Sequence, residues 1–398
     1  MTAAMNDKQI AIDEFRAEVR GWIAQHFPAS LKGKNNAFAA IEGGVPLSPD
    51  QEEWRQAMGE KGWGVPTWPA AYGGGGLCGK QAAVLQEELA NAEAYNPIGG
   101  MGVMMLGPTL LEFASEEQKQ RHIPPICRGE IRWCQGFSEP GAGSDLASLR
   151  ARAEDCGDYF LVNGQKTWTS GGQWSDWCFA LVRTDTSRKH EGISFLLIDM
   201  RSPGVEVRPI QLISGASPFC ETFFTDVKVP RENLVGELNQ GWAIGKRLLQ
   251  HERTNLSGGG GNRVMPSVSQ IAKFYVGVDE QGRLDDPDLR QRIIRHEMLA
   301  RSFRLTAQRV MRDAKNGGVA TASSILKNVG ARITQDRAEL TLEAMGMSGL
   351  GWEGDGFNEK ELAATRLWLW GKAVSIYGGS TEIQNNVIAK RILGMEGE

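Results

Sequence analysis

The sequence predicts an α+β chain in three parts, helical over residues 1–128, β-rich over 129–237 and helical again over 238–398. Two observations predict this order. Apolar residues recur at helical spacing towards both ends, and between Ile131 and Glu237 they give way to short apolar runs separated by turn residues. Runs of strands flanked by runs of helices argue against alternating βαβ units, and no G-x-G-x-x-G follows a strand to mark a dinucleotide fold.

In the first part Ile10, Ile12, Phe15, Val19, Trp22 and Ile23 form the apolar stripe of an amphipathic helix. The stretch Trp63–Gly76 is too rich in Gly and Pro for either periodicity. No Lys-Ser or Lys-Thr opens a helix after it, so it reads as a shaped turn rather than a phosphate loop. In the middle part Tyr159–Val162, Trp177–Val182 and Ile193–Ile198 are strand candidates that suit a small barrel or sandwich. After Asn239-Gln240-Gly241-Trp242, the segments Ile293–Arg312, Ser323–Met345 and Leu362–Ile376 carry charged faces and apolar stripes, as in a bundle.

At 398 residues and 41% hydrophobic the chain is long enough for a substantial core, which excludes a disordered polypeptide. With 44 basic and 48 acidic residues the formal charge of −4 gives no general reason to bind nucleic acid, and no basic run is interleaved with aromatics. No apolar stretch approaches the ~20 residues of a membrane span. Met1–Asp7 has neither a signal-peptide core nor an Arg-rich transit pattern, so a cytoplasmic enzyme is expected. Cys78, Cys127, Cys134, Cys156, Cys178 and Cys220 show no C-x-x-C spacing and read as reduced and mostly packed. His26, His122, His190, His251 and His296 form no H-x-x-x-H or H-E-x-x-H pair, so no metal site is expected and each reads as a surface or capping group.

Two polar, glycine-bearing turns are candidates for chemistry: Phe137-Ser138-Glu139-Pro140-Gly141-Ala142-Gly143-Ser144-Asp145 and Gly164-Gln165-Lys166-Thr167-Trp168-Thr169-Ser170-Gly171-Gly172. They offer backbone donors for an anion or a flavin edge and an aromatic plate beside it. Together with Tyr377-Gly378-Gly379-Ser380-Thr381-Glu382-Ile383-Gln384, they resemble the flavin and thioester lining of the acyl-CoA dehydrogenase family. The resemblance runs from about Ile10 to Gly394 and includes Gly107–Leu110, Phe224–Pro230, Asn233–Glu237 and Ile388–Gly394. It implies an N-terminal helical domain, a central β-barrel and a C-terminal four-helix bundle.

Carried over position by position, the resemblance implies flavin-ring contacts at Gln135, Phe137, Ser138, Trp168 and Ser170, and an acyl-CoA contact at Ser144. Glu343, Gly346 and Met347 fall on a segment that approaches the adenosine end of FAD from a neighbouring subunit, and Ser380 and Glu382 on phosphate and ribose contacts. A carboxylate at Glu343 would be repelled by a pyrophosphate unless hydrogen-bonded elsewhere or turned to a ribose hydroxyl. The family's Arg-x-x-Phe-Gly segment is not recognisable between Gly261 and Gly277.

Oxidation of an acyl thioester at Cα–Cβ needs a base for the α-proton. Many family members carry a Glu where this chain has Gly378, and the isovaleryl and long-chain branches instead place the base on a bundle helix just before an Arg. Here that segment reads His251-Glu252-Arg253, which implies Glu252 as the catalytic base, its pKa raised by desolvation, and Arg253 as a substrate-binding residue that orients the site or holds the segment around Tyr377 in place; His251 is read as a bystander. Gly258-Gly259-Gly260-Gly261 inside a helical stretch suggests close packing or room for a bulky acyl group.

The resemblance therefore implies a dehydrogenase forming trans-2-enoyl-CoA and passing electrons to an electron-transferring flavoprotein. The assembly is expected to be a homodimer, homotetramer or heteromer. Gly378 and the missing Arg-x-x-Phe-Gly keep two alternatives open: a half-site subunit of a heteromer, or another acyl-CoA and flavin reaction on the same scaffold.

Overall fold

The computed structural model describes residues 2–33, 46–257, 266–315 and 323–395, with side chains described except at 2–9, 252–257, 311, 314–315 and 323–324. The chain divides into two compact units, residues 1–210 with 217–251, and residues 211–216 with 252–398.

In the first unit, α1 (Thr2–His26), α2 (Pro49–Glu60) and α3 (Gly79–Asn91) surround Val19, Ile23, Trp54, Met58, Leu85 and Leu89. The start of α2 is dictated locally: Ser48 accepts from the Gln51 amide, the Gln51 side chain returns to the Ser48 amide, and Pro49 follows. Burial of Trp54 costs no hydrogen bond, because its Nε1 donates to the Tyr95 carbonyl at 2.8 Å. The loop from Trp63 closes on itself, with the amides of Gly75, Gly76 and Leu77 donating to Val65, Trp68 and Pro66. It is a structural turn, as its composition suggested.

A curled seven-stranded sheet follows, built from β1 (Trp133–Gly136), β2 (Arg152–Asp155), β3 (Tyr159–Ser170), β4 (Trp177–Arg183), β5 (Ile193–Asp199), β6 (Val205–Ile210) and β7 (Phe219–Pro230). The order is β1-β4-β2-β3-β7-β6, with β5 on β4. The strands β4 and β5 are almost wholly apolar because both faces are covered. Phe179, Leu181, Phe195 and Leu197 pack with Leu110 of α4 (Gly107–Phe113) and with Ile123 and Ile126 of α5 (Glu116–Cys127). The alternate residues Cys178, Ala180, Val182, Leu196 and Ile198 pack with Phe160, Val162, Phe224 and Val229.

The register of β3 against β7 shifts between Val162 and Gly164, where Gly164 has φ +152°. A Cβ there would stand 2.5 Å from Ala151 Cα. Gly164→Ala is therefore expected to lower stability by about 1–3 kcal/mol, read as a shift in the denaturant midpoint at unchanged slope.

The helix α6 (Gly241–Ser257) follows the sheet. In the second unit α9 (Ser323–Met345) is central, with α7 (Val268–Tyr275), α8 (Pro287–Lys315), α10 (Glu359–Trp370) and α11 (Thr381–Val387) packed on it or on each other. Val268, Ala272, Leu289, Ile293, Leu340 and Ala344 form its core. Side chain to backbone caps start these helices too, Ser267 with Gln270 and Asn358 with Glu361.

Two histidines depart from the surface or capping role expected of them. His122 is 2% exposed and His296 7%. His122 lies edge-on to Trp133 and Trp177, with ring centroids 5.3 and 5.0 Å away, and its Nε2 has no partner among the described residues. Burial, assisted by the Arg121 charge, lowers its pKa from 6.5 to about 4. The folded state thus favours neutral imidazole; the stabilisation is complete above the unfolded pKa and is lost as pH falls through about 4. Between those limits wild type should lose about 3 kcal/mol more than His122→Phe, measured by chemical denaturation at stepped pH.

Candidate functional site

In the first unit, Gln135 on β1 pairs in parallel register with Phe179 of β4. Its Nε2 is buried without a hydrogen-bond partner among the described residues, an unused donor. Gly136 follows because a Cβ there would lie 2.8 Å from Cys178 Sγ. Phe137 is a core residue, its ring edge-on to Phe179 and Phe195. What Phe137 presents to a ligand is main chain.

The second segment lies beside the first because β3 bulges. Lys166 pairs with Thr222 and Thr169 with Cys220, so Thr167 and Trp168 face the single residue Glu221. The Thr167 amide donates instead to the Ser138 carbonyl at 2.9 Å. Trp168 takes φ +61°, a strained value for a bulky side chain, and holds its ring 55% exposed and edge-on to Phe219. Ser170 pairs with Phe219 at the end of β3, and Thr169 Oγ1 is buried with no partner among the described residues. Ser144 is exposed on the turn after Glu139, beside Asp145, which pairs with Lys189 at 2.9 Å.

One feature of this site was not singled out from sequence. Lys166 is fully buried, and its Nζ donates to Glu139 Oε1 at 2.8 Å, the Phe137 carbonyl at 3.1 Å and the Leu181 carbonyl at 2.7 Å. Glu139 also accepts from the amides of Arg150 at 2.7 Å and Ala151 at 2.9 Å. Burial lowers the Lys166 pKa, and the Glu139 charge opposes the shift. The signal for Lys166 was strand alternation, which puts it on the inward face with Phe160 and Val162.

An unused buried amide donor and an outward-facing indole in a strained bulge fit a planar ring with a hydrogen-bonding edge. The residues present therefore fit a flavin.

Glu252 and Arg253 belong to α6, and their side chains lie outside the described residues, as does Gly258–Gly261. Earlier on that helix Arg247 grips Glu112 with two bonds of 2.8 Å, and His251 Nε2 stands 3.1 Å from the same carboxylate. Arg247 holds the Glu112 pKa below the usual carboxylate range. Burial lowers the His251 pKa, so the contact with Glu112 adds little to the Arg247 grip.

In the second unit Glu343 is held by Arg292 at 2.5 and 2.7 Å, so its charge is countered within the unit. Gly346, at φ +56°, ends α9, and Met347 after it is 79% exposed. Ser380 caps α11 by accepting from the Ile383 amide, and its hydroxyl holds the exposed Glu382 carboxyl below its usual pKa. The turn before them is fastened to α9, with Lys327 Nζ donating to the Gly379 carbonyl at 2.6 Å and Asn328 to Asn385 at 2.9 Å. Gly378 has φ +65°, a value that a side chain would strain. Neither Arg292 nor Lys327 was singled out from sequence, because nothing local names their partners.

The site segments of both units lie in stretches that match known domains: residues 12–130, 134–227 and 239–393 match the N-terminal, middle and C-terminal domains of acyl-CoA dehydrogenases. Over 98% of its length the chain is 36% identical to acyl-CoA dehydrogenase IpdE1 of Mycolicibacterium smegmatis, covering 99% of that protein. The chain belongs to the acyl-CoA dehydrogenase family. The family's members are FAD-dependent flavoproteins, and this acyl-CoA dehydrogenase is an oxidoreductase of acyl-CoA catabolism. Its fold is similar to the Tcur3481-Tcur3483 steroid ACAD in its G363A variant, with 29% identity, a TM-score of 0.78 and coverage of 98% of this chain and 100% of that one. It is also similar to the ChsE4-ChsE5 complex from Mycobacterium tuberculosis, with 26% identity, a TM-score of 0.74 and coverage of 98% of each chain. Among the described residues no helix is long and apolar enough to cross a membrane.

Proposed function

We propose that this acyl-CoA dehydrogenase oxidises the Cα–Cβ bond of a bulky acyl-CoA to the trans-2-enoyl-CoA, with Glu252 taking the α-proton. The observation that carries the reading is complementary: the turn at Gly378 has a backbone suited to glycine, and a Glu-Arg pair stands at 252–253 on α6. Bound FAD would supply the hydride acceptor for the β-carbon and the outlet for its electrons to an electron-transferring flavoprotein. Arg253 orients the base. The Gln135 amide and the main chain at Phe137, Ser138 and Ser170 supply donors at the ring edge, where preorganised dipoles stabilise developing negative charge. Trp168 supplies the plate beside the ring, and Ser144 holds the thioester. Gly346 and Met347 would meet the adenosine end of a neighbouring subunit's FAD, beside a Glu343 whose charge Arg292 balances. Ser380 and Glu382 meet the phosphates and ribose. The enzyme works in the cytoplasm.

The bulky acyl group is supported by the missing side chain at Gly378, by the glycine run Gly258–Gly261 and by the steroid named for the Tcur3481-Tcur3483 relative. Anaerobic addition of CoA thioesters to the flavin-loaded enzyme tests it. Thioesters of polycyclic acids should bleach the flavin band faster than short straight-chain ones. Comparable turnover of short straight thioesters with none of bulky ones would overturn the substrate reading.

A second reading concerns assembly. Two structural relatives carry names of two different chains, which favours a heteromer in which a sister chain completes the flavin site. In that case the chain produced alone holds little FAD and the co-produced pair holds a full complement. Full flavin occupancy in a homo-oligomer would reject it.

A further inference from the structure

We propose that Glu139 and Lys166 are positioning residues for the flavin seat, holding the Phe137–Ser138 main chain against the Thr167–Trp168 bulge; this rests on the reading that those segments line the flavin.

Elsewhere β3 is held by β7, but at the bulge the Thr167 amide bonds Ser138 instead. Lys166, the residue before, adds a second tie to the same loop through the Phe137 carbonyl. Its remaining N–H groups reach Glu139 and Leu181, so all three ammonium donors are used. Glu139 in turn fastens Arg150 and Ala151 and closes its own turn by two main-chain bonds with Ala142. One buried pair therefore joins the loop on both sides of Ser138, the bulge that aims Trp168, and β4.

A sheet does not need this to be stable. A buried ion pair is commonly replaceable by apolar residues of similar volume without loss of stability, because desolvating both charges offsets their attraction. What an apolar pair cannot do is hold the Phe137 carbonyl, leaving the loop tied to the bulge by the Ser138 bond alone. The pair thus matters for geometry at the seat, where small displacements are costly.

The test compares wild type with Glu139→Gln/Lys166→Met, which removes both charges together, in whichever assembly retains FAD. The double variant should keep the far-UV circular dichroism of wild type. Its FAD dissociation constant should rise at least tenfold, its visible flavin dichroism should change and its flavin reduction potential should move. If it folds with affinity, dichroism and potential as in wild type, the pair is structural only and the proposal fails. Should it not fold, Glu139→Asp keeps both charges and draws the carboxylate back by one methylene. Severalfold weaker FAD binding is then expected, and unchanged binding with unchanged dichroism overturns the proposal. None of these measurements uses acyl-CoA. A wild-type enzyme that holds FAD but is not bleached by any thioester defeats the proposed reaction alone, and one that takes up no FAD in any assembly defeats both.

Discussion

Glu252→Gln is expected to slow acyl-CoA-dependent flavin reduction by on the order of 10³-fold while FAD stays bound, the range that removal of a general base produces. The amide matches the carboxyl in shape but has no lone pair basic enough to take an α-proton. The other C-terminal carboxylates that the resemblance singles out are engaged or exposed among the described residues. Gly378 has no side chain, Glu343 is committed to Arg292, and Glu382 is exposed with its acidity increased by Ser380. Stopped-flow absorbance under anaerobic conditions, with FAD content checked beforehand, measures the effect. Bleaching at the wild-type rate in the variant would remove Glu252 from the reaction.

Lys166→Met, made alone, should have the largest effect on stability, a loss of about 3–5 kcal/mol. The Glu139 carboxyl would keep its two main-chain donors from Arg150 and Ala151 but would be left 8% exposed and without a cation. That is a large part of the ~5–15 kcal/mol that keeps a typical protein folded. Adding Glu139→Gln should restore most of it, because the two substitutions act on one interaction and do not add. Equilibrium denaturation of the three variants closes the cycle. A single variant as stable as wild type would show that the buried carboxylate needs no cation.

The sequence was most informative where interactions are local. The cap residues Ser48 and Ser267 announce the helices they start, and the apolar runs of β4 and β5 announce strands covered on both faces. The three segments that the resemblance assigns to the cofactor were legible as motifs, since left-handed turns at Gly171 and Gly378 favour glycines that stand out in a string. Within the first unit the loop at Ser138 and the bulge before Trp168 are joined through the Thr167 amide. Phe137 was legible as part of the site, but its ring was not legible as core.

Sequence by itself determined the order of helix, sheet and bundle and the family, because these follow from periodicity and short motifs. Only tertiary structure decided that Lys166 meets a carboxylate 27 residues away, that Arg292 claims Glu343, and that His122 is buried edge-on against two stacked tryptophans. Periodicity states which way a side chain faces, whereas the partner of a charge depends on which distant strands and loops are brought within a few ångströms of it.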